Sequence, residues 1–219
     1  MFCRAGRSAD EIVVTGNPAF DRINDPAVVA GAALRAARGW NDGTVTLLWA
    51  SQIESARHPF IGVAGNPLLP RQIEQVLRQF IREHSGFRLV VRYHPSEREI
   101  FVEQARIDLS LSSEPLPLLL RAVDLVVVTA STVGLEAFIA GRPVISVDNS
   151  VFTEGAPYSH MGISTGVPEP EDLPLELIKA AKANRVSSGL NAASEHGRSG
   201  GADQRVLTVI ETLLSDGVF

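Results

Sequence analysis

Cysteine is nearly missing from this chain: Cys3 is the only one in 219 residues. An intrachain disulfide and a cysteine-held metal cluster are therefore excluded. Lysine is almost as scarce. Of 20 lysines and arginines, only Lys179 and Lys182 are lysine, so nearly all positive charge is guanidinium, which suits phosphate recognition. No apolar run reaches the roughly 18–20 residues needed to cross a bilayer. The stretch from Met1 to Asp10 lacks the apolar centre of a signal peptide, which makes the cytoplasm the default location. A net charge of −5 argues against non-specific nucleic-acid binding, which needs a basic surface. No G-x-G-x-x-G follows a strand and no G-x-x-x-x-G-K-[ST] occurs, so neither a classical dinucleotide fold nor a P-loop is expected. Histidines at metal-ligand spacing and Asp-x-Asp metal motifs are missing too.

What is present is ordinary for a globular protein, with 45% hydrophobic and 21% charged residues. The most informative stretch runs from Asp124 to Val147. Four apolar residues, Leu125 to Val128, read as a short buried strand. A polar turn follows, Thr129-Ala-Ser-Thr132, and then Val133, Leu135, Ala137, Phe138 and Ile139 recur at helical spacing. Gly141 closes that helix, and residues 143–147 form the next strand. A turn of this kind aims hydroxyls and free backbone N–H groups from a helix N-terminus, where anions and phosphate bind. Glu136 lies one turn along, within reach of a sugar hydroxyl beside such a phosphate. Plain helix capping is the competing role for Ser131, Thr132 and Gly134, and a surface helix position is the competing role for Glu136.

Further strands are expected at 11–15, 44–50, 87–93 and 107–111. Helices are expected at 25–37, from Pro70 to near Gly86, at 97–106, 116–122, 170–183 and 206–214. Residues 186–204 are the least regular. Strands alternating with helices predict an α/β fold: a single Rossmann-like, doubly wound, mainly parallel sheet with helices on both faces. The expected organisation is a lead-in and linker remnant over 1–24, the Rossmann-like domain over 25–183, and an irregular stretch with a terminal helix over 184–219. In such sheets ligands bind beyond the carboxyl ends of the strands. Attention falls there on Ser51-Gln52, His94, Ser131-Thr132 and Asp148-Asn149. His94 can donate to a phosphate or serve as acid or base, or cap its strand end. The other histidines read as structural or solvated.

Four segments taken in order, Val14-Thr-Gly-Asn-Pro-Ala-Phe-Asp21, Tyr93-His-Pro95, Ser131-Thr-Val-Gly-Leu-Glu136 and Gly141-Arg-Pro-Val-Ile145, resemble the C-terminal half of GT-B fold proteins. That superfamily includes nucleotide-sugar glycosyltransferases, non-hydrolysing UDP-N-acetylglucosamine 2-epimerases and CDP-glycerol glycerophosphotransferases. The resemblance implies that Thr15 to Pro18 is a linker leaving an N-terminal domain. It implies that Ser131 and Thr132 hold a diphosphate, that Glu136 binds ribose hydroxyls and that His94 walls the nucleotide site. Leu116 to Leu120 would border the base. The turn departs from the epimerase pattern, with Thr132-Val133 in place of two glycines, Ala137 in place of a second glutamate and Ser51-Gln52 in place of His-Arg. The implied ligand is a nucleotide diphosphate-sugar, UDP-type, or a nucleotide-polyol, bound without a required metal, in surface-polysaccharide synthesis. Alternatives are an epimerase-like enzyme and a non-catalytic or split domain that needs a partner chain. The acceptor half of a two-domain protein would precede residue 11.

Overall fold

The computed structural model describes residues 6–24, 31–40, 43–187 and 201–215. Six strands form one sheet: β1 (Val45–Ala50), β2 (Phe87–Arg92), β3 (Ile107–Leu109), β4 (Leu125–Val128), β5 (Val144–Val147) and β6 (Thr165–Val167). Their order is β3-β2-β1-β4-β5-β6, and every pairing is parallel. Every residue of β1, β4 and β5 is buried, as expected of strands covered by helices on both faces.

Alternation along the strands divides the core in two. Leu47, Trp49, Leu89, Val91, Val127 and Ile145 pack under α3 (Leu69–Glu83) and α6 (Leu173–Ser187), against Ile73, Leu77, Phe80, Leu173 and Leu177. Leu48, Ala50, Val90, Val126, Val128 and Val144 face the other way. They meet Leu119 and Leu120 of α4 (Leu116–Ala122), Ala137 of α5 (Thr132–Ile139), Trp40, Tyr158 and Leu34 of α2 (Gly31–Ala37). Both lysines lie on α6, where Lys179 pairs with Glu176 at 2.6 Å. From β1 the chain winds outward to β2 and β3, then returns to lay β4 on the other side of β1. The winding reverses between β1 and β4, and in sheets of this kind the crevice for a ligand lies beyond the carboxyl ends of the strands at that point.

Four expectations are corrected. Residues 11–15 form no strand: a 3₁₀ turn covers Ala9–Glu11, and Val13 and Val14 are 61% and 83% exposed, so the valines have no sheet to join. Residues 97–106 form no helix. Their polar groups go to other elements, with Glu97 bonded to Ser51 and Arg71 and Arg106 in the left-handed region at φ 63°. Arg106 donates instead to the carbonyls of Ile81, His84 and Phe87. Strand β6 lies where the sequence predicts no strand; of its three residues only Val167 is buried. The last helix, α7 (Ala202–Ser215), begins before residue 206. Asp21 Oδ2 accepts the Ala202 N–H at 2.8 Å and draws that start onto α1 (Pro18–Asp21). Residues 25–30 of the expected first helix and 188–200 of the irregular stretch lie outside the described residues. Among the described residues no helix is long and apolar enough to cross a membrane.

Candidate functional site

The crevice edge is built by the turns after β1, β2, β4 and β5. After β4, Ser131 sits at φ −72° and ψ 141° as the N-cap of α5, and its Oγ accepts the Val133 N–H at 3.3 Å. Thr132 is exposed at the first helical position. Gly134 is buried for a steric reason. A Cβ there would lie 3.0 Å from Val128 Cγ2 and 3.1 Å from Tyr158 Cε2, closer than such contacts normally run. Glu136 follows on the same helix, half-buried, with no hydrogen bond or ion pair to any described residue. Burial raises its carboxyl above the usual range, and the Arg92 guanidinium pulls it partly back.

Arg92 ends β2 on the α5 side of the sheet. It donates to Ser110 Oγ at 2.9 Å and to the carbonyls of Leu111, Ser112 and Glu114 at 2.9, 3.1 and 3.0 Å. The whole β3–α4 turn is thereby drawn toward Glu136. The segment that should border a base, Leu116 to Leu120, begins directly beyond it. Desolvation lowers the Arg92 pKa, against the opposing charges of Glu114 and Glu136.

Ser51 and His94 belong to a second group on the α3 side of the same edge. Ser51 is buried and donates to Glu97 Oε1 at 2.8 Å, while Arg71 donates to both groups. Glu97 Oε2 accepts the His94 N–H at 2.7 Å. One carboxylate thus ties the ends of β1 and β2 to α3. His94 is exposed, and its Nδ1 accepts the Ser96 N–H at 3.2 Å, which leaves Nε2 as the ring nitrogen free to meet a ligand. Gln52 is half-buried beside Ser51. Thus Ser131, Thr132, Gly134 and Glu136 come together on α5, and Ser51 with His94 on the neighbouring strand ends. Ser51 already spends its hydroxyl inside the protein.

Asp148 and Asn149 are also committed internally. Asp148 accepts from Ser146 and Ser159 hydroxyls at 2.6 Å each, and Asn149 donates to Glu169. Gly162 to Gly166 spell G-x-S-x-G, yet Ser164 precedes a strand instead of a helix and shares its hydroxyl with Ser146 at 2.8 Å. It is no nucleophile elbow. An open depression lined by Phe101, Gln104, Ile107 and Leu109 lies at the free edge of β3, away from this crevice.

Two residues of the edge, Arg92 and Tyr158, escape a reading by motif, and Thr129 of the polar turn is less accessible than that reading implies. Thr129, directly after β4, is buried with its hydroxyl unpartnered. Arg92 carries one faint signal, a charge closing the apolar run Leu89 to Val91. Tyr158 carries none, since only tertiary folding brings it to α5. Its loop is pinned by Glu54, a buried carboxylate that accepts Ser150 Oγ at 2.7 Å and the Val151 N–H at 2.8 Å.

Residues 63–165 match the family described as capsule polysaccharide biosynthesis protein. No curated protein sequence matches the chain. Among solved structures, a UDP-GlcNAc 2-epimerase from Neisseria meningitidis bound to UDP-GlcNAc superposes with a TM-score of 0.65 at 14% identity. The match covers 97% of this chain and 58% of that one. The UDP-GlcNAc 2-epimerase of Methanocaldococcus jannaschii, in complex with UDP-GlcNAc and UDP, gives 0.60 at 17% identity over 96% and 57%. The wall teichoic acid polymerase TagF with CDPG gives 0.56 at 16% identity over 98% and 53%. The chain therefore spans little more than half the length of each structure it resembles. Its fold is that of one Rossmann-like half of a GT-B protein, and its middle carries the sequence pattern of the capsule polysaccharide biosynthesis proteins.

Proposed function

We propose that this domain binds a nucleotide diphosphate-activated sugar or polyol, as the donor half of a transferase of surface-polysaccharide synthesis. The observation that supports the reading is Glu136, a half-buried carboxylate with no hydrogen bond or salt bridge to a described residue, one turn along a helix that starts with Ser131 and Thr132 at the reversal point of the sheet. Partial burial makes a carboxylate costly unless donors reach it, and ligand hydroxyls can supply them. The diphosphate would lie at the N-terminus of α5, with the ribose hydroxyls on Glu136, the base against Leu116 to Leu120, and His94 Nε2 toward the phosphates. In transfer, the helix-end N–H groups and the Thr132 hydroxyl would stabilise charge on the departing diphosphate, with no metal required. A UDP-type donor is favoured by the UDP-GlcNAc named for two of the superposed structures. Transfer in polysaccharide assembly is favoured by the family match over residues 63–165. The acceptor site belongs, in this reading, to a further domain or partner chain.

Calorimetric titration with UDP, CDP, GDP and their sugar conjugates tests the proposal. One of them should bind, and Glu136→Ala should weaken it about tenfold, the scale of a lost hydrogen bond to a charged group, without lowering the unfolding temperature. If none binds, the reading fails.

A further inference from the structure

At the amino ends of β4 and β5, the end of the sheet away from Ser131 and Thr132, three arginines gather around one carboxylate. The strand register pairs Val126 with Val144, and the Pro143 carbonyl accepts the Val126 N–H at 3.0 Å. Carried back two residues, that register sets Asp124 beside Arg142 at about the 4.8 Å spacing of neighbouring strands. Alternation puts both on the face that Val126 and Val144 share with α4. Arg35 reaches the same corner from α2, donating to Ala122 O at 2.8 Å and to Asp124 Oδ2 at 3.0 Å. Arg121 lies in the last turn of α4, and a Cβ on Gly31 would sit 2.7 Å from its own Cβ, so α2 closes directly upon it. Asp124 Oδ2 is used twice, since it also accepts the Thr46 N–H at 2.8 Å.

One carboxylate balances only one of the three cations. Arg121 donates to Ile23 O at 2.8 Å, but its Nε–H is buried without an acceptor. The Nε–H of Arg142 is in the same condition, and its guanidinium makes no hydrogen bond or salt bridge with any described residue. Burial lowers the Arg142 pKa, Asp124 raises it, and Arg121 and Arg35 lower it, which agrees with a shared corner. Guanidinium groups stay protonated all the same. Each offers Nε–H and a terminal N–H as a planar fork that fits two oxygens of a phosphate. We propose that Arg121 and Arg142, steadied by Arg35 and Asp124, form an oxyanion site for a phosphate dianion, either the free ion or a small phosphate ester. Two charges on the ligand match the two cations that Asp124 leaves unbalanced. The site is separate from the start of α5 and does not rest on the nucleotide reading above.

The test is titration of inorganic phosphate and of glycerol 3-phosphate into the full chain at constant ionic strength, followed by calorimetry and by the NMR signals of the arginine Nε–H groups. At least one anion should bind and shift the Arg121 and Arg142 signals. Binding of inorganic phosphate alone marks the free ion as the ligand, and binding of glycerol 3-phosphate marks an ester. Arg142→Met keeps the apolar stem and removes a half-buried, unbalanced charge, so its melting temperature should stay level or rise. It should weaken binding tenfold or more, the scale of a lost charge-assisted fork. The wild-type signals decide even where that variant folds poorly. The proposal is overturned if neither anion binds the wild type below about 10 mM, or if a folded Arg142→Met binds as the wild type does. Heat released while both Nε–H signals stay still also overturns it, because the phosphate then sits elsewhere, as at the start of α5.

Discussion

Replacing Arg92 by methionine removes one guanidinium that holds an entire turn. Its four acceptors are Ser110 Oγ and the carbonyls of Leu111, Ser112 and Glu114, at 2.9 to 3.1 Å. Two of these bonds are part-buried and two are exposed. An intramolecular hydrogen bond contributes about 0.5–1.5 kcal/mol net, and more with a charged partner. Counting the part-buried pair in full and discounting the exposed pair gives a loss of about 2 kcal/mol. The turn keeps its remaining anchors, Ser110 Oγ on Glu114 at 2.6 Å and Arg38 on Glu114 at 3.0 Å, so the loss should go no further. Urea unfolding followed by circular dichroism should show a lower midpoint at unchanged slope, since the same surface is exposed on unfolding. Arg92→Lys should recover less than half, because a point charge cannot span acceptors that a planar fork reaches together. The reasoning is refuted if Arg92→Met lies within about 0.5 kcal/mol of the wild type, the range of a neutral surface change.

Glu136 carries a pH signature. Its carboxyl is raised in the folded state, so the proton is held more tightly folded than unfolded. The associated stability is present in acid and is lost as pH rises from the ordinary glutamate range through the raised value. Glu136→Gln should therefore melt above the wild type at neutral pH and match it near about pH 3, and a pH-independent gap in calorimetric scans would contradict the assignment. Gly166→Ala places a Cβ 2.2 Å from Asp148 Oδ2 and 2.7 Å from Ser159 Cβ. That overpacking should cost about 1–3 kcal/mol, and equal urea midpoints would show that β6 does not sit there. Glu54→Ala strands the Ser150 hydroxyl and the Val151 N–H, for a loss of about 2 kcal/mol. Amide exchange at Val151 should accelerate, and unchanged protection would count against the pin.

Legibility in the sequence followed how local each determinant is. The β4–α5–β5 unit could be read directly, because a buried apolar run, a Ser/Thr cap and a glycine at φ 72° are all local signals. Strand β6 could not, since Thr165-Gly-Val167 becomes a strand only where the edge of β5 offers its ladder. Residues 97–106 mislead because Glu97 and Arg106 satisfy the groups of other elements, and those long-range bonds override helix propensity. The site divides the same way. Ser51, His94 and Ser131 stand at strand ends and could be picked out by position. Their partnership through Glu97, the hold of Arg92 on the β3–α4 turn and the seat of Tyr158 on Gly134 join residues far apart in the chain. No periodicity records them.

The distribution of amines has a practical side. Lys179 and Lys182 are both exposed on α6, which covers the sheet face opposite α5. Amine-reactive coupling will therefore anchor the protein through that helix or through the terminal amine. A sensor surface prepared through the lysines would hold the domain by its α6 face, with α5 on the far side of the sheet. Fluorophores attached there would report tumbling and association of the whole domain while staying clear of Glu136 and Tyr158.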